Sequence, residues 1–183
     1  HPPGYPLFTL LLHAWISLLP IGTVFFRAAL LNALFATGVA VLLYVSQSRL
    51  RAAAAAIALT LAFSKVFWRY AELPDAFILN APFAALIIFT SFGASSGLRR
   101  WLPLVFALAL CNHLTIVFLA PVVAHVVWSE RRAKTTWLAT AAGLVAFAGL
   151  YALLFLFHPQ APDSWGDLKS FEDLVRHFAR SDY

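Results

Sequence analysis

Long apolar runs, punctuated by short basic clusters, constrain this chain more than any other feature. A helix needs about 20 apolar residues to cross about 30 Å of hydrocarbon. Ala28–Val45, Ala76–Phe92 and Trp137–Phe157 are runs of that order, and Ala52–Trp68 joins them if Lys65 snorkels. Leu7–Leu19 is shorter, carries His13, and reads as an interfacial helix. Leu102–Trp128 is too long for one untilted span; Asn112 and His113 interrupt it and Pro121 follows. Charged residues make up 11% of the 183, and mean hydropathy is +0.81. A soluble domain carries about 25% charge, so this chain lacks the polar surface to be one. The reading is an all-α, polytopic membrane helix bundle over residues 1–158. Residues 159–183 are read as the start of a polar loop that holds an amphipathic helix.

Clustered positive charges mark three loops: "SQSRLR" with Arg49 and Arg51, "GLRR" with Arg99 and Arg100, and "ERRAK" with Arg131, Arg132 and Lys134. Clusters of this kind mark cytoplasmic loops. The net charge of +5 therefore reads as a membrane signal. No basic stripe with interleaved aromatics accompanies it, and no nucleic-acid partner is expected. All three loops share one side only if Leu102–Trp128 goes in and returns, with Asn112–His113 as the tip of a short helix pair. A single tilted helix would put "ERRAK" on the wrong side. Backbone at that depth must be sheltered by protein or line a cavity.

This orientation collects four stretches on the extracytoplasmic face. They are "HPPGYP" and its interfacial helix, "WRYAELPDAF", "CNHLT", and the tail from His158 to Tyr183. In the opening string, Pro2, Pro3 and Pro6 lack amide donors and hold their predecessors extended. It is a stiff entry to a helix. In the tail, Phe171, Leu174, Val175 and Phe178 repeat at helical spacing, and Ser170 with Asp173 resembles a capping box. Cys111, the sole cysteine, cannot form an internal disulfide. The chain holds no methionine and shows no signal-peptide pattern; it is read as a piece of a longer integral membrane protein, of a bacterial inner membrane or the endoplasmic reticulum.

No Walker loop, nucleophile elbow, or paired Cys or His metal spacing occurs, so no metal ligands are assigned. Asp75, Asn80, Asn112 and His113 lie in or beside apolar spans, where polar groups are expensive and have a task or a partner. For Asn80 an interhelical hydrogen bond and a ligand role stand equal. The extracytoplasmic face suits sugar transfer from a lipid phosphate. That chemistry needs a carboxylate to take the acceptor's proton, and cations or amides to hold the departing phosphate. Asp75 is the candidate carboxylate. Arg27, at the start of a span, is the candidate phosphate partner, with His1 and Arg69 beside it.

The ordered set "HPPGYPLF", "FRAALLNALF", "AFSKVFW", "LPDAFILNAPF", "CNHLT" and "WGD…F…H…R" resembles the membrane O-mannosyltransferases that include the vertebrate plexin-type enzyme and bacterial relatives. The resemblance covers essentially the whole chain. It implies a GT-C glycosyltransferase fold and inverting transfer of a sugar, mannose by the resemblance, from a polyprenyl-phosphate donor to a Ser/Thr hydroxyl of a protein acceptor. The implied partners are membrane lipid, lipid-linked sugar and acceptor protein; no cofactor is assigned and the need for a divalent metal stays open. His1, Arg27 and His113, which match the family's motifs, and Arg69, from its charge, are the candidate partners of the donor phosphate. Pro2, Pro3, Tyr5, Asn80, Asn112, Trp165, Asp167, His177 and Arg180 line the pocket. Asp75 stands where the family has a glutamate, and Phe77 where it has a tyrosine. The family's acidic pair is expected upstream of His1, and this stretch alone is expected to be inactive. A transporter or flippase-like module and a non-catalytic membrane subunit are the alternative readings. An impermeant thiol reagent tests the orientation: single cysteines at Ser48, Ser96 and Lys134 stay unlabelled from outside, while one at Ser164 is labelled. External labelling at Ser96 would break it.

Overall fold

The structure, a computed structural model, describes residues 5–46, 50–93, 96–156 and 170–179, and among these every regular element is helical. Helix α1 (Pro6–Leu18) opens on a proline, whose missing amide would have no partner there anyway. The following turn reverses through Gly22 at φ +62°; a Cβ there would lie 2.7 Å from Phe26 Cδ1, so only glycine fits. The Thr23 hydroxyl then accepts the Phe26 amide at 3.1 Å and starts α2 (Val24–Ser46).

The expected span Ala52–Trp68 is not one straight helix. It forms α3 (Arg51–Ala62) and α4 (Lys65–Glu72), bent by 62°. The cause is Ser64, which is extended (ψ 137°) and whose side chain accepts the Phe67 amide at 3.3 Å. It caps a new helix instead of continuing the old one. At 12 residues, α3 alone is about 18 Å long, well short of the hydrocarbon thickness. Ala76–Phe92 forms α5 (Phe77–Gly93), about 25 Å long, followed by the short α6 (Ser96–Arg99).

The split of the long apolar run is as expected. Helix α7 (Leu102–Asn112) stops at the polar pair, a 3-10 segment (Leu114–Leu119) turns the chain, and α8 (Ala120–Ser129) brings it back. A straight helix would hold residues 102 and 128 about 40 Å apart. Instead, Arg100 Nε donates to Glu130 Oε2 at 3.2 Å, and Arg99 Nη2 donates to Ser129 Oγ at 3.1 Å. The two ends of the pair are tied together. Helix α9 (Lys134–Leu156) then runs parallel to α7: Gly143 faces Pro103 and Leu104, and Tyr151 Oη donates to Leu110 O at 3.4 Å. Helix α10 (Phe171–Ala179) has the expected reciprocal cap. Asp173 Oδ2 accepts the Ser170 amide and hydroxyl at 2.8 Å, and Ser170 Oγ accepts the Asp173 amide at 3.2 Å.

Helices α2 and α9 are long and apolar enough to cross a membrane, and the bent pair α3–α4 could make a third span. One core lies between α5 and the α7–α8 pair, built on Ile87, Leu102, Ala109, Ile116, Val123 and Val126. A second joins Phe8 of α1 to Ala76 and Leu79 at the start of α5. The α7–α8 pair thus has Arg99, Arg100, Glu130 and Arg131 at its base and the polar break at Asn112–His113 at its tip. Helices α7 and α9 approach closely because Gly143 has no Cβ: one would meet Ala107 Cβ at 3.0 Å and the Pro103 carbonyl at 3.1 Å. Gly143→Leu should therefore separate the helices and cost about 1–3 kcal/mol, seen as a lower melting temperature in detergent. Gly38→Leu, where nothing lies within 4 Å of a Cβ, serves as the control.

Candidate functional site

The polar end is built around the turn that precedes α5. Leu73, Pro74 and Asp75 close a three-residue turn, with Asp75 N donating to Leu73 O at 2.8 Å. Asp75 Oδ1 then accepts the Phe77 amide at 3.3 Å and starts α5. Two fully buried asparagines hold this turn from neighbouring helices. Asn32, on α2, donates its amide to the carbonyls of Leu73 and, at 3.1 Å, of Asp75. Asn112, the last residue of α7, donates to Ala76 O at 3.0 Å and to Asn80 Oδ1 at 3.3 Å. Asn32 thus tethers a partly exposed turn, and Asn112 satisfies the buried carbonyl of Ala76.

From Asn80 the chain of hydrogen bonds continues. Asn80 Nδ2 donates to Thr115 Oγ1 at 3.0 Å, and Thr115 Oγ1 lies 2.8 Å from His113 Nδ1. The Thr115 amide also donates to His113 Nδ1 at 3.2 Å, so in the neutral ring the proton sits on Nε2. The imidazole is buried, stacked on Tyr5 (centroids 5.1 Å apart, 15° between planes) and tilted against Phe77 at 4.6 Å. Tyr70 of α4 meets the far side of Phe77 at 5.5 Å. Tyr5, His113, Phe77 and Tyr70 thus form an aromatic row beside the Asp75 turn.

The structure therefore brings together Tyr5, Asp75, Asn80, Asn112 and His113. Asn80 makes the interhelical bonds that were one of its two readings. Asn112 is fully buried and acts on the backbone of the turn, so it does not line an open pocket as expected. Arg27 serves α1: Nη1 donates to the carbonyls of Ile16 at 2.5 Å and Leu19 at 3.1 Å, and Nε reaches Thr23 O at 3.4 Å. The Trp15 indole returns a bond to Arg27 O at 2.8 Å. A cation at these last carbonyls suits the negative end of the helix, and Nη2 makes no hydrogen bond among the described residues. Arg69 is exposed on α4, away from these bonds. His1, Pro2, Pro3, Trp165, Asp167 and Arg180 lie outside the described residues, as does the side chain of His177. Among the described residues no group of three His, Cys, Asp or Glu could hold a metal.

Two residues of this arrangement escaped the sequence reading. Asn32 is a polar residue inside the apolar run Ala28–Val45, the same signal that singled out Asn80. Thr115 follows "CNHL" directly, but nothing in its spacing showed that it would join Asn80 to His113.

The family described as "Protein O-mannosyl-transferase TMEM260 N-terminal domain" matches residues 1–137, which include the whole of this polar end. The chain belongs to that family. It is 31% identical to the mouse protein named "Protein O-mannosyl-transferase TMEM260", over all of this chain and 29% of that protein. The chain thus spans less than a third of the length of that TMEM260-family relative. No solved structure matches. With its α-helical fold and apolar spans, this TMEM260-family chain is a membrane protein. Asn32→Ala should leave the Asp75 carbonyl without its Asn32 donor, while Leu73 O keeps the Asp75 amide, and cost about 1–3 kcal/mol. The expected readout is a lower melting temperature, with faster proteolysis between α4 and α5.

Proposed function

We propose that this chain is the donor-side part of a multi-pass protein O-mannosyltransferase of GT-C type, its polar end facing the extracytoplasmic or lumenal side. The observation that carries the reading is the joint anchoring of Asp75 and His113 by one hydrogen-bonded cluster, within the segment that matches the transferase family. The concentration of Arg99, Arg100, Arg131, Arg132 and Lys134 at the opposite end supports the orientation.

The donor is a polyprenyl-phosphate mannose. The acceptor Ser/Thr oxygen attacks the anomeric carbon, the bond from that carbon to the phosphate oxygen breaks, and the phosphate leaves with the electron pair. A carboxylate receives the acceptor's proton. Asp75 is our candidate for this, or for orienting the acceptor; its Oδ1 accepts the Phe77 amide and its Oδ2 makes no hydrogen bond among the described residues. His113 is our candidate partner for the departing phosphate; Arg27 is held at the other end of α1, on the carbonyls of Ile16 and Leu19. The aromatic row gives the lipid-linked sugar an apolar wall with an edge of polar groups. A second break, at Ser64, joins the one at His113, and broken helices are also a transporter trait. The family match favours transfer over transport.

The test is transfer of radiolabelled mannose from polyprenyl phosphate by the full-length protein. His113→Ala and Asp75→Asn should each lower turnover about 10²-fold or more, while Asp75→Glu retains part of it. Wild-type transfer by folded His113→Ala and Asp75→Asn proteins would remove both from the mechanism.

A further inference from the structure

A groove of about 620 Å³ runs along the α7–α8 pair and α9, from Leu110 and Ala120 near the tip to Trp128 and Arg131 at the base. Its walls are apolar, with Pro103, Phe106, Leu110, Ala124, Leu144 and Phe147 along them. Its mouth is different. Trp128, Arg131 and Trp137 stand there, and they are fixed to one another. Arg131 Nη1 donates to Trp128 O at 2.6 Å and its guanidinium lies 4.4 Å from the Trp128 ring centroid. The Trp137 indole donates to Arg131 O at 2.8 Å. We propose that this groove binds one acyl chain of an anionic phospholipid, with the headgroup phosphate at Arg131.

Three observations select this occupant. The first is depth. Trp137 to Phe147 is ten residues of α9, about 15 Å, which is half the hydrocarbon thickness and therefore one leaflet. The second is the pair of tryptophans at the mouth, the residue type that settles at the boundary between hydrocarbon and headgroups. The third is charge. Between residues 96 and 137 the sequence carries Arg99, Arg100, Arg131, Arg132 and Lys134 against the single acid Glu130. Glu130 is already engaged, 3.2 Å from Arg100 and 3.9 Å from Arg99. Among the described residues no carboxylate pairs with Arg131, the cation at the mouth, and a basic pocket between membrane helices is a recognition site for anionic headgroups. The site is separate from the polar end and does not depend on the proposed transfer reaction.

The experiment uses the full-length protein, delipidated in detergent and titrated with dioleoylphosphatidylglycerol or dioleoylphosphatidylcholine, with bound lipid counted by native mass spectrometry. Wild type should retain phosphatidylglycerol at least about fivefold more tightly, the effect of roughly one interfacial charge. Arg131→Gln should remove that preference and leave phosphatidylcholine binding unchanged. Ala124→Phe fills the groove from an exposed position on α8 and should weaken retention of both lipids with no loss of melting temperature. Equal retention of the two lipids by wild type would overturn the proposal, as would unchanged retention in Ala124→Phe. Ready disulfide formation between a cysteine at Ala124 and one on a later helix of the same protein would also overturn it, since a helix would then fill the groove.

Discussion

The side-chain amide of Asn112 lets a helix stop inside an apolar bundle. Ending α7 there leaves the chain free to turn back, but it also places irregular backbone at a depth where water is absent. The structure meets that constraint with buried side-chain amides. Asn112 reaches across to Ala76 O, and Asn32 reaches the carbonyls of Leu73 and Asp75. Replacing either with an apolar residue would remove the side-chain donor that ties this turn to its neighbouring helix. The α7–α8 pair, the entry to α5 and the row of rings around His113 all rest on these few bonds. The group that closes the fold is therefore also the group that sets out the candidate chemistry.

The same economy recurs between α1 and α2. Trp15 donates to Arg27 O while Arg27 donates back to Ile16 and Leu19. An arginine that reads from sequence as a phosphate partner is in the first place a clamp on a helix end. Tyr5, from the proline-rich opening, packs on His113, so the entry to α1 is part of the wall around the polar end.

Much of this architecture was legible in the residues because polarity inside an apolar run is a loud signal. Asn112 and His113 marked the tip of the helix pair, and the sidedness of the basic loops demanded that the chain return there. Ser170 and Asp173 announced their cap. The break between α3 and α4 was harder to read: Phe63, Val66, Phe67 and Trp68 continue the apolar run past Ser64 and hide its capping role. Yet Lys65, Arg69 and Glu72, at helical spacing over a single short stretch, fit a separate helix better than the end of a span. Asn32 carried the same signal as Asn80 but sat in the middle of an otherwise clean span. Gly143 carried none, since a close helix approach depends on what stands opposite, here Ala107 and Pro103. The clamp role of Arg27 was hidden for the same reason: its acceptors are backbone carbonyls of another helix.

The shortness of the paired helices has a consequence for how the protein is made. Helix α7 has 11 residues and α8 has 10, about 16 Å and 15 Å. Neither is long enough to be recognised as a span during membrane insertion. The Glu130 link to Arg99 and Arg100 ties their two bases together. The tip is satisfied only when Ala76 and Asn80 are already in place to receive Asn112. Biogenesis therefore has an order: α5 must be seated before the α7–α8 pair can sink to its final depth.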